Sequence, residues 1–320
     1  MVLTIEERIN SVISEIKSTS EKMTVAFSGG KDSTLVAVLA REALGKEKVK
    51  LLNVCFGPYS YSRGLEIVIG LAEKLGLDLE FTAGYEEQEK IWKAGPSCNR
   101  CTKFAKFNAV LKSTTSIIAT GANLSDTWGQ TGIALKERLY APIRDWTKKE
   151  IDEALEYFGI EVPRIGEAPS REGCKLKHLL KMMINPSYHG QAVAISNEIL
   201  MDHLAEFSHK MANVKIIGPL SRNIALVNVS PEPPEAKKNS ITKALKKTGI
   251  IETVHWVDAP IKLVISANPG IFNNEASKGW ILKGRLQPEF AAPISAEWIK
   301  SRNRRLATFQ VVDYVLEVNR

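Results

Sequence analysis

Thr24-Val25-Ala26-Phe27-Ser28-Gly29-Gly30-Lys31-Asp32-Ser33 is the stretch that decides how this chain folds. Residues 23–27 form an apolar run with the length of a buried strand, and a helical pattern follows over 33–44, closed by Gly45. Between them lies a Ser-Gly-Gly turn. Its glycines allow positive φ and a close backbone approach to a ligand. Successive amide N–H groups of such a turn face one concavity, backed by the positive end of the helix dipole. Ser28 and Ser33 add hydroxyls and Lys31 adds a charge. The turn suits pyrophosphate. It lacks the Gly-Lys-Ser/Thr ending of a Walker loop, and it is not the Gly-x-Gly-x-x-Gly dinucleotide fingerprint.

Working outward, Thr4 is placed to cap a helix over 5–17 with Ile5, Ile9, Val12, Ile13 and Ile16 on one face. Strands are expected at 49–55, 79–82 and 116–120. Helices are expected at 61–75, 104–111 and 148–158, the last capped by Thr147 and closed by Gly159. Alternating strands and helices predict an α/β domain with a parallel sheet and helices on both faces. Ligands of such sheets lie beyond the carboxyl ends of the strands. After Asn185-Pro186, a helix over 191–211 is expected to act as a connector. Strands at 224–230, 252–257 and 261–266, with a helix at 237–247, then predict a smaller α+β domain, expected to be ferredoxin-like. The expected division is 1–185, a connector at 186–212, and 213–320.

The composition, 44% hydrophobic and 25% charged, is that of a soluble globular protein. No apolar run reaches the roughly 20 residues of a membrane span. The first residues lack the basic start and apolar centre of a signal peptide. Four cysteines, Cys55, Cys98, Cys101 and Cys174, argue for a reducing compartment, so a cytoplasmic protein is expected. The net charge of +7 is concentrated late: residues 213–320 carry 16 Lys and Arg against 9 Asp and Glu. Lys243, Lys246, Lys247, Lys300, Arg302, Arg304 and Arg305 fall there with Trp256, Trp280 and Trp298, a pattern that suits RNA as readily as a solvated surface.

Cys98-Asn99-Arg100-Cys101 and the later Arg171-Glu172-Gly173-Cys174-Lys175 form the second chemical signal. Basic neighbours Arg100, Lys103, Arg171 and Lys175 favour thiolates. Three chemistries answer to this pattern. One is a [4Fe-4S] cluster on Cys98, Cys101 and Cys174 with one iron open. Another is zinc, with His178 as a fourth ligand. The third is redox or persulfide chemistry on the thiols. Cys55, inside an expected strand, reads as core.

A third motif, Thr120-Gly121-Ala122-Asn123-Leu124-Ser125-Asp126, also follows a strand. With Ser28-Gly29-Gly30-Lys31-Asp32-Ser33 it resembles the PP-loop superfamily of ATP pyrophosphatases, as does Leu139-Tyr140-Ala141-Pro142-Ile143-Arg144. The likeness covers residues 23–159. Gly121, Asn123 and Asp126 match the second motif, whereas Ala122 and Ser125 depart from it. The resemblance implies an adenine-nucleotide α-hydrolase-like sheet and cleavage of ATP between its α and β phosphates. The order of Cys98, Cys101 and Cys174 is similar to that of cluster-dependent sulfur-transfer members of the superfamily, the tRNA 2-thiolation enzymes and LarE-like transferases.

That likeness implies ATP held by Ala26, Phe27, Ser28, Gly29, Gly30, Lys31, Asp32, Ser33, Asn53, Gly121 and Asn123, with Mg2+ at Asp32 and Asp126. It implies catalytic roles for Lys31, Asp32, Cys98, Cys101 and Cys174. The expected activity is adenylation of an acceptor oxygen followed by insertion of sulfur carried on the [4Fe-4S] cluster of Cys98, Cys101 and Cys174. The acceptor is expected to be tRNA, bound by the basic domain, with sulfide or a persulfide carrier as sulfur donor and a homodimer as an open expectation. Sulfur transfer to a small molecule, a sulfonucleotide reductase and a non-catalytic RNA-binding protein are the alternatives. No cysteine after Cys174 is available for the reductase chemistry.

Overall fold

The structure, a computed structural model, describes residues 4–163 and 174–316; Arg171, named above as a neighbour of Cys174, lies outside them. The chain forms two compact units that no single cut separates. One comprises Met1–Cys55, Ser62–Gly84 and Lys103–Ile165. The other comprises Phe56–Tyr61, Tyr85–Thr102 and Gly166–Arg320. Among the described residues no helix is long and apolar enough to cross a membrane.

The first unit is built on a six-stranded sheet in the order β3-β2-β1-β4-β6-β5. Its strands are β1 (Met23–Ala26), β2 (Val49–Cys55), β3 (Asp78–Ala83), β4 (Ile117–Ala119), β5 (Leu135–Lys136) and β6 (Leu139–Tyr140). All neighbours pair parallel except β5 with β6. Consecutive strand residues point to opposite faces. Leu51 joins a core with Ile9, Val12 and Ile16 of the helix Ile5–Thr19 and Leu35 and Leu39 of the helix Lys31–Leu44. Leu52 joins a second core with Val110, Ile118 and Leu139. Helices therefore cover both faces, as the alternating pattern predicts. The chain returns from β3 to the far side of β1, so β1 and β4 flank the switch point where α/β sheets open a ligand crevice.

The second unit contains two three-stranded mixed sheets. One joins β7 (Met211–Ile217), β8 (Ile224–Ser230) and β9 (Thr253–Trp256). The other sets β10 (Ile261–Ala267) between β11 (Ile294–Lys300) and β12 (Phe309–Leu316). One apolar core, with Ile217, Leu226, Leu263, Ile265 and Val311, holds both sheets together. The ferredoxin-like expectation, a single antiparallel sheet, is not what forms. The connector helix is also shorter than expected. It spans Gln191–His203, and β7 begins at Met211 inside the expected helix. Buried polar residues Asn213 and Lys215 hide that strand's apolar alternation.

Candidate functional site

The phosphate turn forms as its sequence demands. Gly29 adopts φ 75°, a conformation that favours glycine. The helix starts at Lys31, two residues earlier than the apolar pattern suggests, and its N-cap Gly30 makes no side-chain capping bond. Its first amides are therefore left for a ligand. Ser33 is buried and organises the loop: its Oγ accepts from Ser28 N at 3.2 Å, lies 3.1 Å from Ser28 Oγ, and donates to Gly30 O at 3.1 Å. The expected phosphate donor is thus an internal brace of the turn.

Asn53, expected to touch ATP, is also buried, and its Nδ2 donates to Phe27 O at 2.8 Å. It ties β2 to the residue leading into the turn. Ala26 and Phe27 form the end of β1 and the step into the turn, with Phe27 N donating to Leu52 O at 2.9 Å.

The motif after β4 meets the turn directly. A Cβ added to Gly121 would stand 2.9 Å from Asp32 Cβ and 3.0 Å from Ser33 N. Only glycine permits this approach. Asn123 is buried and closes the following loop, with its Nδ2 donating to Gly121 O and its Oδ1 accepting from Ser125 N. Asp126 is exposed and accepts from Asn123 N at 3.2 Å.

Two partners of the charged loop residues were not legible beforehand. Lys31 pairs with Asp152 at 2.8 Å, and Asp32 pairs with Lys148 at 2.6 Å. Both pairs are largely exposed and worth about 0–1 kcal/mol each, so phosphate and a cation can replace them at little cost. Mg2+ takes few protein carboxylates and completes its shell with phosphate and water. Of the two carboxylates expected to hold it, Asp32 stands at the turn, paired with Lys148, and Asp126 is exposed in the loop after β4. The ion would neutralise charge on the phosphate oxygens.

Cys98, Cys101 and Cys174 lie in the second unit. Gln88, fully buried on the helix Tyr85–Trp92, directs Nε2 to Cys101 Sγ at 3.2 Å and to Cys174 Sγ at 3.5 Å. Its Oε1 is buried with no partner among the described residues. Sequence gave no sign of Gln88, since one glutamine in a charged helix carries no pattern. Cys98 opens the short helix Cys98–Arg100 and lines a cavity of about 500 Å³. Among the described residues no group of three or more His, Cys, Asp or Glu is placed to hold a metal ion. The three-thiol cluster site expected from the spacing is therefore not assembled, and two thiols converge instead of three.

The zinc alternative with His178 is not assembled either. His178 Nδ1 lies 2.7 Å from Lys215 Nζ, beside Glu289. Lys175, expected to favour the Cys174 thiolate, does interact electrostatically with Cys174, and it also pairs with Glu198 at 2.5 Å and donates to Pro58 O at 3.0 Å. Cys55 ends β2, half-buried.

Comparison with known proteins gives the same direction for the first half of the chain. The family model of NAD synthase matches residues 1–170. Over 62 residues the chain is 44% identical to the glutamine-dependent NAD(+) synthetase of Thermotoga maritima. That match covers 19% of this chain and 11% of the relative, so the chain spans only a small part of the relative's length. Together with the phosphate turn at the β1–β4 switch point, these matches show that the chain belongs to the NAD synthase family and carries a PP-loop domain of the ATP pyrophosphatase type.

Proposed function

We propose that this protein is an ATP-dependent sulfur transferase. The observation that carries the sulfur reading is the convergence of Cys101 and Cys174 on Gln88 in a chain that also holds a PP-loop. ATP binds with its β and γ phosphates on the amides of Gly29 to Ser33 and on Lys31. An acceptor carbonyl or carboxylate oxygen attacks the α phosphorus, and pyrophosphate leaves. The fixed N–H donors stabilise charge that develops on the phosphates. The acceptor carbon is now bonded to AMP, a good leaving group.

A persulfide on Cys101, supplied by an external persulfide carrier, then attacks that carbon through its outer sulfur, and AMP leaves. The Cys174 thiolate attacks Cys101 Sγ, which breaks the sulfur–sulfur bond to the product. The thiolated product departs and a Cys101–Cys174 disulfide remains, which a dithiol reductant returns to two thiols. No step requires the [4Fe-4S] cluster expected from the spacing. Iron and sulfide analysis of anaerobically purified protein tests that expectation separately: about four of each per chain, lost on Cys98→Ala, would restore it.

The decisive assay follows sulfur into product with Cys101→Ser and Cys174→Ser. Each change is expected to abolish transfer while ATP still binds. Full activity in either variant would sink the reading. RNA as acceptor rests on exposed Lys300, Arg302, Arg304 and Arg305. Replacing those four with Ala is expected to weaken tRNA binding and flatten its salt dependence. A second reading follows from the family: the activated acceptor takes nitrogen, forming an amide. Formation of NAD by the purified protein would favour it.

A further inference from the structure

The second unit contains a cavity of about 500 Å³ that the ATP chemistry does not use. Its size is that of a small-molecule site. Cys98, Lys177, Trp280, Arg285, Glu289 and Thr308 are among its lining residues. Arg285 Nη2 and Thr308 Oγ1 are buried and have no hydrogen-bond partner among the described residues. Buried donors left this way cost stability unless something fills them. Those two atoms are themselves closed to water, but Arg285 lines the cavity and has no ion pair among the described residues, which points to a ligand with anionic oxygens. Arg285 lies over the Phe309 ring at 5.3 Å, which fixes its plane. Trp280 is 59% exposed, a large ring left to solvent beside the cavity. Glu289 adds no net repulsion to an anion, because its carboxylate is already paired with Lys215 and Lys177.

We infer that this cavity binds a small planar ring carrying an anionic oxygen group, of mononucleotide size or less. Trp280 stacks on the ring, Arg285 binds the oxygens, and Cys98 lies at the ligand's edge.

The test is protection of Cys98. Full-length protein is alkylated with iodoacetamide, alone or with uridine 5′-monophosphate, benzoate, or a uridine-rich RNA oligonucleotide, and peptides are read by mass spectrometry. Saturating uridine monophosphate or benzoate is expected to slow Cys98 alkylation about tenfold or more, with Cys55 unaffected. Arg285→Met is expected to raise the concentration needed by roughly tenfold, the loss of one charged hydrogen bond. Because Trp280 is exposed, Trp280→Ala tests the same site without risk to the core and is expected to give a similar loss.

No protection by either small probe, or unchanged protection in Trp280→Ala, overturns the inference. Protection by the oligonucleotide alone overturns it in favour of an extruded base of RNA. Protection of Cys98 by either small probe, weakened in Trp280→Ala, supports it.

Discussion

Replacing Gly121 with Ala tests whether the second motif sets the geometry of the phosphate turn. The added Cβ would lie 2.9 Å from Asp32 Cβ, 3.0 Å from Ser33 N and 3.1 Å from Asp32 C. Carbon atoms in favourable contact stand about 3.5–4.0 Å apart. The turn must therefore retreat from the end of β4 by roughly half an ångström, and the atoms in the way are backbone. Overpacking of this kind costs about 1–3 kcal/mol of stability. The larger effect falls on the ligand, because the displaced Ser33 amide belongs to the phosphate-binding set. Weakening one hydrogen bond to a charged phosphate costs about 1.5 kcal/mol, or roughly tenfold in affinity. Calorimetric titration with Mg-ATP should show Kd raised about tenfold, with a modest fall in Tm. An ATP affinity within twofold of the parent would refute the claim that this contact fixes the turn.

Other changes follow from the same structure. Ser33→Ala removes the brace joining Ser28 to Gly30 and is expected to weaken ATP binding roughly tenfold, measured by the same titration. Gln88→Leu removes the donor shared by Cys101 and Cys174, which favours their thiolates. Alkylation of Cys101 at mildly alkaline pH should slow about tenfold, and an unchanged rate would count against the bracket.

Glu289→Gln leaves the fully buried Lys215 ammonium without its counter-charge and is expected to cost about 3–5 kcal/mol in chemical denaturation. Burial alone would raise the Glu289 carboxyl, but Lys215, His178 and Lys177 override it and hold the group well below its ordinary 4.5. A carboxylate depressed in the folded state stabilises fully above its unfolded value and loses that contribution as pH falls. The parent should thus lose stability on acidification below about 4.5, and the variant should lose less across the same range. Parallel acid limbs would contradict this.

Much of the first unit is legible in sequence because its signals are local. Apolar runs, Thr4 and Thr147 caps and closing glycines mark its elements, and both helices show complete capping boxes. The second unit is legible only in part, because it buries charge. Lys181 donates to Pro219 O and Arg222 O, each at 2.7 Å, while Lys215 and Asn213 sit inside β7. Read along the chain, such residues look solvated. They are buried because partners far away in sequence satisfy them. The site shows the same division. The turn and Gly121 follow from residue type, whereas Gln88, Lys148, Asp152, Arg285 and Thr308 act through contacts that no spacing announces.

The way the units share the chain has a consequence for synthesis and for dissection. Segments Phe56–Tyr61 and Tyr85–Thr102 emerge early from the ribosome, yet belong to the unit completed only near the C-terminus. Cys98 and Cys101 travel with them. The thiol pair with Cys174 and the cavity wall at Cys98 cannot close until later residues arrive, so the first unit must close its sheet around two excursions still waiting for their partners. A nascent chain stalled before Met211 would hold the PP-loop with both excursions unsheltered, their apolar Tyr59 and Trp92 without the burial of the finished fold. Neither unit can be expressed alone by truncation at one point.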